Sequence, residues 1–417
     1  MKILILNQAF YPDVVSTAQH AADLAVKLIE QGHEVTVIAS RHGYDDRGLQ
    51  FPAAECWQGI MIHRFRSLTL GKQSRWRRAL NFASFLVGCA ARLLITPRHD
   101  VVIALTSPPL ISFLATLFVQ VKGGRLLFWI MDLNPDEAIA AGWLRENSLA
   151  ARGLSSMLNR SLHQSAKVIV LDRFMKRRIL DKGLSEDKVA IIPPWAHDDA
   201  VRYDERGRQD FRDRHQLSDK FVVMYSGNHS PCHPLDTILA AVLRLASDPQ
   251  VVFCFVGGGS EFRKVQAFAE RHQLTNIYCL PYQPLDGLAA SLSAADLHLV
   301  VMGDPFTGLV HPCKVYNILA IGKPFLYVGP AASHIVDIAA GMQNPGCVGI
   351  VQHGDIEAVV NLIGERAALS LGDTPDAPGD PASAFSSKAI LPKMVGLVES
   401  LDETNALCNS EASQLTN

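Results

Sequence analysis

The segment 311–324 places a cation at the start of a predicted helix. It reads His-Pro-Cys-Lys-Val-Tyr-Asn-Ile-Leu-Ala-Ile-Gly-Lys-Pro, in which Pro312 suits a first helical turn and Gly-Lys-Pro suits a helix end. Free backbone N–H groups and the helix dipole attract anions there, and Lys314 adds a full charge. The pattern predicts a phosphate-binding lysine. The alternative is an ordinary helix start with a solvated lysine.

Composition excludes several classes of protein. The 39 Lys and Arg residues balance 41 Asp and Glu residues, so no overall field recruits nucleic acid. The eight cysteines form neither a CxxC pair nor a zinc-type spacing, which predicts free thiols in a reducing compartment and no metal site. A strand predicted from Lys2 leaves no room for a cleavable signal ahead of it. We therefore expect a cytoplasmic protein.

Short apolar runs alternate with helical patterns along the chain, which predicts parallel sheets covered on both faces. We expect an α/β protein with two doubly wound Rossmann-like domains facing across a cleft. A charged linker from about residue 195 to 220 separates them, and a loop is predicted at about 370–383. The predicted parts are an N-terminal domain (1–200), a C-terminal domain (215–368), a helix packing back on the first domain (385–402) and a disordered tail (403–417).

Ligands of open α/β sheets bind at the carboxyl ends of the strands, so the strand-to-helix loops are the candidates for chemistry. In the second domain, Gly227 allows close approach of a ligand to the backbone, and Asn228 and His233 can donate to phosphate oxygens. Gly257 and Gly258 end the next strand, although a tight turn explains these glycines equally well.

A further loop of the second domain, 302–310, leads into the lysine segment. It would bring the Thr307 hydroxyl and the bare backbone at Gly308 close to a bound sugar, with Leu309 alongside and Lys314 behind on the phosphates. A phosphate site next to a sugar site fits a nucleotide sugar.

Loops of the first domain offer polar groups for a second substrate. Tyr11 lies in the loop after the first strand, and Ser16 or Thr17 is predicted to cap the following helix. His20 would lie on the first turns of that helix, or serve as a surface or core histidine. Asp132 follows a strand and could face the cleft, although Asp before Asn-Pro is also ordinary turn chemistry.

The segment 75–95 begins with Arg-Trp-Arg-Arg and continues as an apolar run. Helices that lie on an anionic bilayer have this order of residues. The run is short for a membrane span. The alternative is a core helix with a solvated basic end.

Taken together, these residues resemble a family 4 glycosyltransferase of the GT-B fold, nearest the fucosaminyltransferase-like branch of bacterial surface-polysaccharide biosynthesis. The resemblance covers residue 1 to about 365. It is carried by residues 10–13 with 17–19, 32–37, 225–228, 255–259, 295–296, 312–316 and 322–324.

This resemblance implies sugar transfer from a nucleotide diphosphate donor with retention and without a metal or cofactor. The donor would lie mainly on the second domain and the acceptor on the first. The family's phosphate lysine falls on Lys314 and its diphosphate glycine on Gly227. The implied nucleotide-binding residues are Gly257, Gly258, Tyr282 and Asn317.

Several positions depart from the family pattern. Two glutamates that many members carry are replaced by Thr307 and Asn317, and the usual arginine and lysine on the diphosphate by Asn228 and His233. The donor base and sugar therefore remain open.

We expect a retaining glycosyltransferase of the hexosyltransferase class, with Lys314 and Asp132 as catalytic residues. Lys314 stabilises the leaving diphosphate and Asp132 orients a glycan acceptor that is lipid-linked. The protein would be cytoplasmic and peripheral at the inner face of the plasma membrane, without a nucleic-acid partner. The alternatives are a non-catalytic nucleotide-sugar-binding protein and a sugar-nucleotide epimerase, although the missing carboxylates at Thr307 and Asn317 argue against the epimerase.

Overall fold

The chain forms two compact units, each built around a mainly parallel sheet. The computed structural model describes residues 1–44, 48–70, 75–197, 201–342, 344–369 and 381–414. One unit comprises residues 1–193 and 390–417, and the other residues 194–389. Helices cover both sheets, which confirms the predicted class of two Rossmann-like α/β domains.

The first unit contains an eight-stranded sheet. Its elements are β1 (Lys2–Leu6), α1 (Ser16–Glu30), β2 (Glu34–Ser40), β3 (Ala54–Trp57), β4 (Ile60–Phe65), α2 (Arg75–Ile95), β5 (Val101–Ala104), α3 (Ile111–Lys122), β6 (Arg125–Trp129), α4 (Asp136–Ala140), α5 (Leu149–Gln164), β7 (Lys167–Val170), α6 (Arg173–Leu180) and β8 (Val189–Ile191). The strand order is β3-β4-β2-β1-β5-β6-β7-β8. The strand order reverses between β1 and β5: the strands that follow β1 in the chain are added on one side, and those that follow β5 on the other. Open α/β sheets bind ligands in the crevice at such a point, so the crevice of this sheet lies at the carboxyl ends of β1 and β5.

The short edge strand β3 was not predicted from the sequence. Its four residues pair antiparallel with β4, with Trp57 opposite Ile60. The two-residue connection, Gln58 and Gly59, has φ values of 49° and 83°, the conformation that a tight hairpin turn requires. The Gln58-Gly59 pair between two short strand-like segments could have indicated this hairpin from the sequence.

The second unit contains a six-stranded parallel sheet. Its elements are α7 (Glu205–Arg214), β9 (Phe221–Asn228), α8 (Asp236–Arg244), β10 (Val251–Gly258), α9 (Ser260–His272), β11 (Ile277–Leu280), α10 (Leu285–Ser293), β12 (Leu297–Val301), α11 (Lys314–Ala320), β13 (Phe325–Val328), α12 (His334–Ala340), β14 (Val348–Val351), α13 (Ile356–Leu369) and α14 (Pro381–Ala384). The order β11-β10-β9-β12-β13-β14 is that of a dinucleotide-binding Rossmann sheet. Its crevice therefore lies at the carboxyl ends of β9 and β12.

The charged segment predicted to be a linker is packed into the second unit. Arg208 of α7 donates to Asp296 over 2.8 Å, and Arg212 binds the other oxygen of the same carboxylate. That oxygen also accepts the Val222 N–H at 2.8 Å. Two arginines of the predicted linker thus share one carboxylate, whereas Arg202, Glu205 and Arg206 are exposed. The second unit begins at residue 194.

The last helix, α15 (Ser387–Gln414), is grouped with the first unit from residue 390. Met394 and Val398 are fully buried, and Glu399 Oε1 lies 3.0 Å from His33 Nε2, just after α1. The helix α15 extends to Gln414 and so overlaps residues 403–414 of the predicted disordered tail. Residues 415–417 and most of the predicted loop 370–383 lie outside the described residues.

Candidate functional site

The carboxyl end of β9 carries an open position next to Lys314. Gly227 has a φ of 123°, and a Cβ atom placed on it would lie 3.7 Å from both Cε and Nζ of Lys314. A side chain at this position would be strained and would fill the space in front of the ammonium. Gly227 therefore leaves only bare backbone beside the lysine at this end of the sheet.

Lys314 is not the solvated lysine of the alternative interpretation. It is the first residue of α11, two positions later than the proline predicted to open that helix, and its Nζ lies 3.1 Å from the centroid of the Tyr225 ring. In the described part of the chain this buried nitrogen has no hydrogen-bond partner. Burial lowers the pKa of Lys314 well below its usual value. Burial thus disfavours the charged form of this lysine, and a bound anion would favour it.

Two histidines share this environment. His229 Nδ1 lies 2.8 Å from the Gly227 carbonyl oxygen, and its ring is 4.5 Å from the ring of Tyr225. Burial first, and Lys314 second, lower the pKa of His229 and of His233 to about 3. His229 Nε2 and His233 Nδ1 are buried without a partner among the described residues. Both histidines are neutral, and together with Lys314 they leave three buried nitrogens unsatisfied.

Sequence reasoning predicted His233 and Asn228 but missed His229. The Asn228 side chain is exposed, and its backbone oxygen accepts the Tyr225 hydroxyl at 3.1 Å. His229 lies one residue further along in the same loop, so its position was the available signal. What the sequence could not show is that its ring turns inward against Tyr225 and Phe262.

The glycines that end β10 mainly permit close packing of the backbone. A Cβ at Gly257 would lie 2.1 Å from the Gly227 oxygen, and one at Gly259 would lie 2.4 Å from the His229 oxygen. This geometry favours the turn interpretation for Gly257. Gly258 lies under the ring of Tyr282, which is 40% exposed and would be 3.2 Å from a Cβ there. Tyr282 thus presents an aromatic surface at the edge of the crevice.

The residues predicted to contact the donor sugar and ribose differ in how deeply they are buried. Thr307 is half-buried after a short 3-10 turn (Asp304–Phe306), whereas Gly308 is buried with a φ of 72°. The Leu309 side chain is buried in the interior, so only its backbone could meet a ligand. Asn317 Oδ1 accepts the backbone N–H of His197 at 3.4 Å, which fixes this side chain within the second unit.

In the first unit, Asp132 lines a pocket at the carboxyl ends of β5 and β6. Leu105, Thr106 and Asn134 contribute to the same pocket. Burial, and then the charge of Glu137, raise the pKa of Asp132 to about 8. At neutral pH this carboxyl is therefore mainly protonated, and it can donate a hydrogen bond as well as accept one.

The predicted acceptor residues near α1 do not form one polar surface. The N-cap of α1 is Val15 without a side-chain hydrogen bond, so the predicted caps Ser16 and Thr17 are wrong as caps. His20 is buried, with Nδ1 2.7 Å from the Ser16 carbonyl oxygen, as expected for a core histidine. Tyr11 is exposed and stacks on Trp57 at 3.8 Å between ring centroids. Of these residues, Tyr11 offers the largest surface to a ligand.

Comparison with known proteins agrees with this geometry. Residues 17–199 match the model of Glycosyltransferase Family 4. The matched stretch lies almost entirely in the first unit, whereas the buried lysine lies in the second.

Other comparisons extend the likeness to both units. The putative colanic acid biosynthesis glycosyl transferase WcaI of Escherichia coli K12 is 27% identical over 394 residues, 89% of this chain and 93% of WcaI. Among solved structures, sucrose-phosphate synthase of Thermosynechococcus elongatus superposes with a TM-score of 0.73 at 16% identity, covering 97% of this chain and 100% of that one. HepE of Anabaena in complex with UDP-glucose gives 0.67 at 14%, covering 97% and 99%. These likenesses confirm the GT-B fold.

Proposed function

We propose that the protein is a retaining glycosyltransferase that moves a sugar from a nucleotide diphosphate donor to a lipid-linked glycan acceptor in bacterial polysaccharide biosynthesis. The observation that carries this proposal is the buried, unpaired Nζ of Lys314 beside Gly227. A diphosphate placed there satisfies the lysine, and the resulting ion pair is strong because water is excluded. The UDP-glucose bound to HepE supports a donor of this class.

The chemistry follows from where charge develops. As the bond between the anomeric carbon and the diphosphate breaks, negative charge grows on the leaving oxygen, and Lys314 stabilises it. The acceptor hydroxyl attacks from the same face, and its proton passes to the departing diphosphate. The bond from the anomeric carbon to the diphosphate oxygen breaks, a glycosidic bond to the acceptor oxygen forms on the same face, and no side chain acts as a nucleophile.

Asp132 has the second role in the proposal. Its carboxyl is protonated near neutral pH and lies in a pocket, so it orients an acceptor hydroxyl by donating to it rather than by removing its proton. The first unit would thus bind the acceptor and the second the donor. We place the protein in the cytoplasm, peripheral to the inner face of the plasma membrane, where a lipid-linked acceptor is available. The fucosaminyltransferase-like branch remains our proposal for its subgroup.

The test measures nucleotide diphosphate released from a panel of nucleotide sugars, with bacterial lipid extract as the source of acceptor. We expect lipid-dependent release from one donor, and a product whose anomeric configuration by NMR equals that of the donor. Lys314→Ala should lower the rate of release roughly a hundredfold, whereas the exposed Lys388→Ala should leave it unchanged.

Two results would contradict the proposal. Thermal stabilisation by a nucleotide sugar without release from any donor would favour a nucleotide-sugar-binding protein. Conversion of one nucleotide sugar into its epimer without lipid would favour an epimerase.

A further inference from the structure

One side of α2 presents large apolar side chains to solvent along its length. Trp76 is 59% exposed, Leu80 44%, Val87 71% and Leu94 76%. The spacings of four, seven and seven residues place them in one row on the helix. Isolated exposed apolar residues need no explanation, but a continuous row marks an interaction surface.

The opposite side of α2 is part of the core of the first unit. Phe85, Cys89 and Leu93 are buried in a cluster with residues of β1, β5 and α3. By length and composition the segment Trp76–Ile95 could cross a membrane, and only 17% of its apolar window is buried. Crossing would remove Phe85 and its neighbours from the sheet they cover. The packing therefore favours a helix that lies along a surface.

The end of α3 widens this surface. Val121 is 80% exposed, and the neighbouring Lys122 donates from Nζ to the Leu94 carbonyl oxygen at 3.2 Å. This bond joins the C-terminal ends of α2 and α3. We call the set Trp76, Leu80, Val87, Leu94, Ile95 and Val121 the apolar face.

The chain segment that contains α2 carries charge of a single sign. Between Arg66 and His99 the sequence contains seven Lys or Arg residues and no Asp or Glu, although the whole chain has a net charge of −2. Arg77 lies at one end of the row, 5.3 Å from the Trp76 ring, and the exposed Arg98 lies beyond the other end. A second copy of this chain would bring like charges together, whereas an anionic lipid surface complements them.

We propose that the apolar face binds the surface of a bilayer that contains anionic phospholipids, with α2 parallel to the membrane plane. Apolar side chains would enter the boundary between headgroups and acyl chains while Trp76 and the arginines remain at headgroup level. This inference deepens the proposed function by naming the surface that meets the lipid phase. The contact itself requires no catalysis.

The test is co-sedimentation with vesicles of phosphatidylcholine, with and without phosphatidylglycerol. We expect binding that requires phosphatidylglycerol and weakens with salt. Val87→Glu should lower the partition coefficient at least tenfold, whereas Leu243→Glu, at an exposed apolar position on α8, should not change it. Arg77→Gln and Arg98→Gln should each lower it about fivefold, and Arg263→Gln, an exposed arginine of the second unit, should not.

Vesicle binding can be tested independently of the proposed sugar transfer. Lys314→Ala should bind vesicles like the wild type even though its transfer is roughly a hundredfold slower. Equal sedimentation of wild type and Val87→Glu, with the same circular dichroism, would overturn the inference. So would a lipid-free dimer in analytical ultracentrifugation that Val87→Glu dissociates, because a second copy would then cover the apolar face.

Discussion

The amine of Lys314 lies 3.1 Å from the centre of the Tyr225 ring, and the Tyr225 hydroxyl is bonded to the Asn228 carbonyl oxygen. The ring face stabilises a cation without neutralising it. The bonded hydroxyl fixes the ring at the end of β9. Tyr225 thus positions the lysine without accepting a hydrogen bond from it, so the N–H groups of Lys314 remain available to an anion.

Replacing this lysine should affect rate far more than stability. Lys314→Ala removes a charge-assisted contact to the leaving diphosphate, which typically costs about 3 kcal/mol, or roughly a hundredfold in rate. The free energy of unfolding should stay equal or rise, because a buried unpaired amine is lost. Initial rates and urea unfolding measure the two effects. Transfer at the wild-type rate would contradict the assignment.

Donor binding should take up a proton. Burial holds the pKa of Lys314 below its usual value of 10.5, and a bound diphosphate favours the charged form and raises it again. Calorimetry of nucleotide diphosphate binding in buffers of different ionisation enthalpy should show uptake of up to one proton. Lys314→Met should remove this uptake and Lys388→Met should not. A buffer-independent enthalpy for the wild type would mean that the lysine is already charged.

Asp132 should make the free energy of unfolding of the protein depend on pH. Its pKa is raised from 3.8 to about 8, so between these values the folded state holds a proton that the unfolded state has lost. Stability contributed by this proton therefore declines as pH rises, by up to about 1.4 kcal/mol per pH unit. Asp132→Asn should flatten the decline, measured as the free energy of unfolding against pH.

Activity tests the role of the same carboxyl. If Asp132 acts as a hydrogen-bond donor, transfer by the wild type should fall above about pH 8 and Asp132→Asn should stay active there. The exposed Asp286→Asn serves as the matched control. Complete inactivity of Asp132→Asn with an intact fold would instead indicate a general base.

Asn317 stands where the family resemblance implies a ribose-binding glutamate. Its Oδ1 accepts the His197 N–H, and a glutamate oxygen could keep that bond. Asn317→Glu should therefore tighten nucleotide binding or leave it unchanged, as measured by calorimetry. A clear loss of affinity would show that this protein uses the position differently.

The sequence could predict the sheets because buried parallel strands are continuous apolar runs, as in β5, where every residue is buried. It could also predict Lys314 and Gly227, because proline, lysine and glycine act through local backbone geometry. The partners of these residues were not predictable. Tyr225 lies 89 positions before Lys314, and only the sheet order brings their chain segments together.

The protonation states of the site residues could not be predicted from the sequence either. The raised pKa of Asp132 comes first from burial, which depends on chain segments distant in sequence, and only second from the nearby Glu137. Leu105 and Thr106, which follow β5, line the same pocket. At residues 195–220 the sequence prediction of a solvated linker was wrong. There the abundance of charge suggested solvent exposure, whereas Arg212 and Asp296 satisfy one another in the interior.

The place of α15 in the first unit has a consequence for how the chain is made and cut. The ribosome completes residues 1–193 early, but Met394 and Val398 arrive only after the whole second unit has been synthesised. A fragment ending near residue 193 would leave the surface that these residues cover open to water and prone to aggregation. We expect the second unit, residues 194–389, to be the better candidate for expression on its own, since it is one uninterrupted stretch of chain.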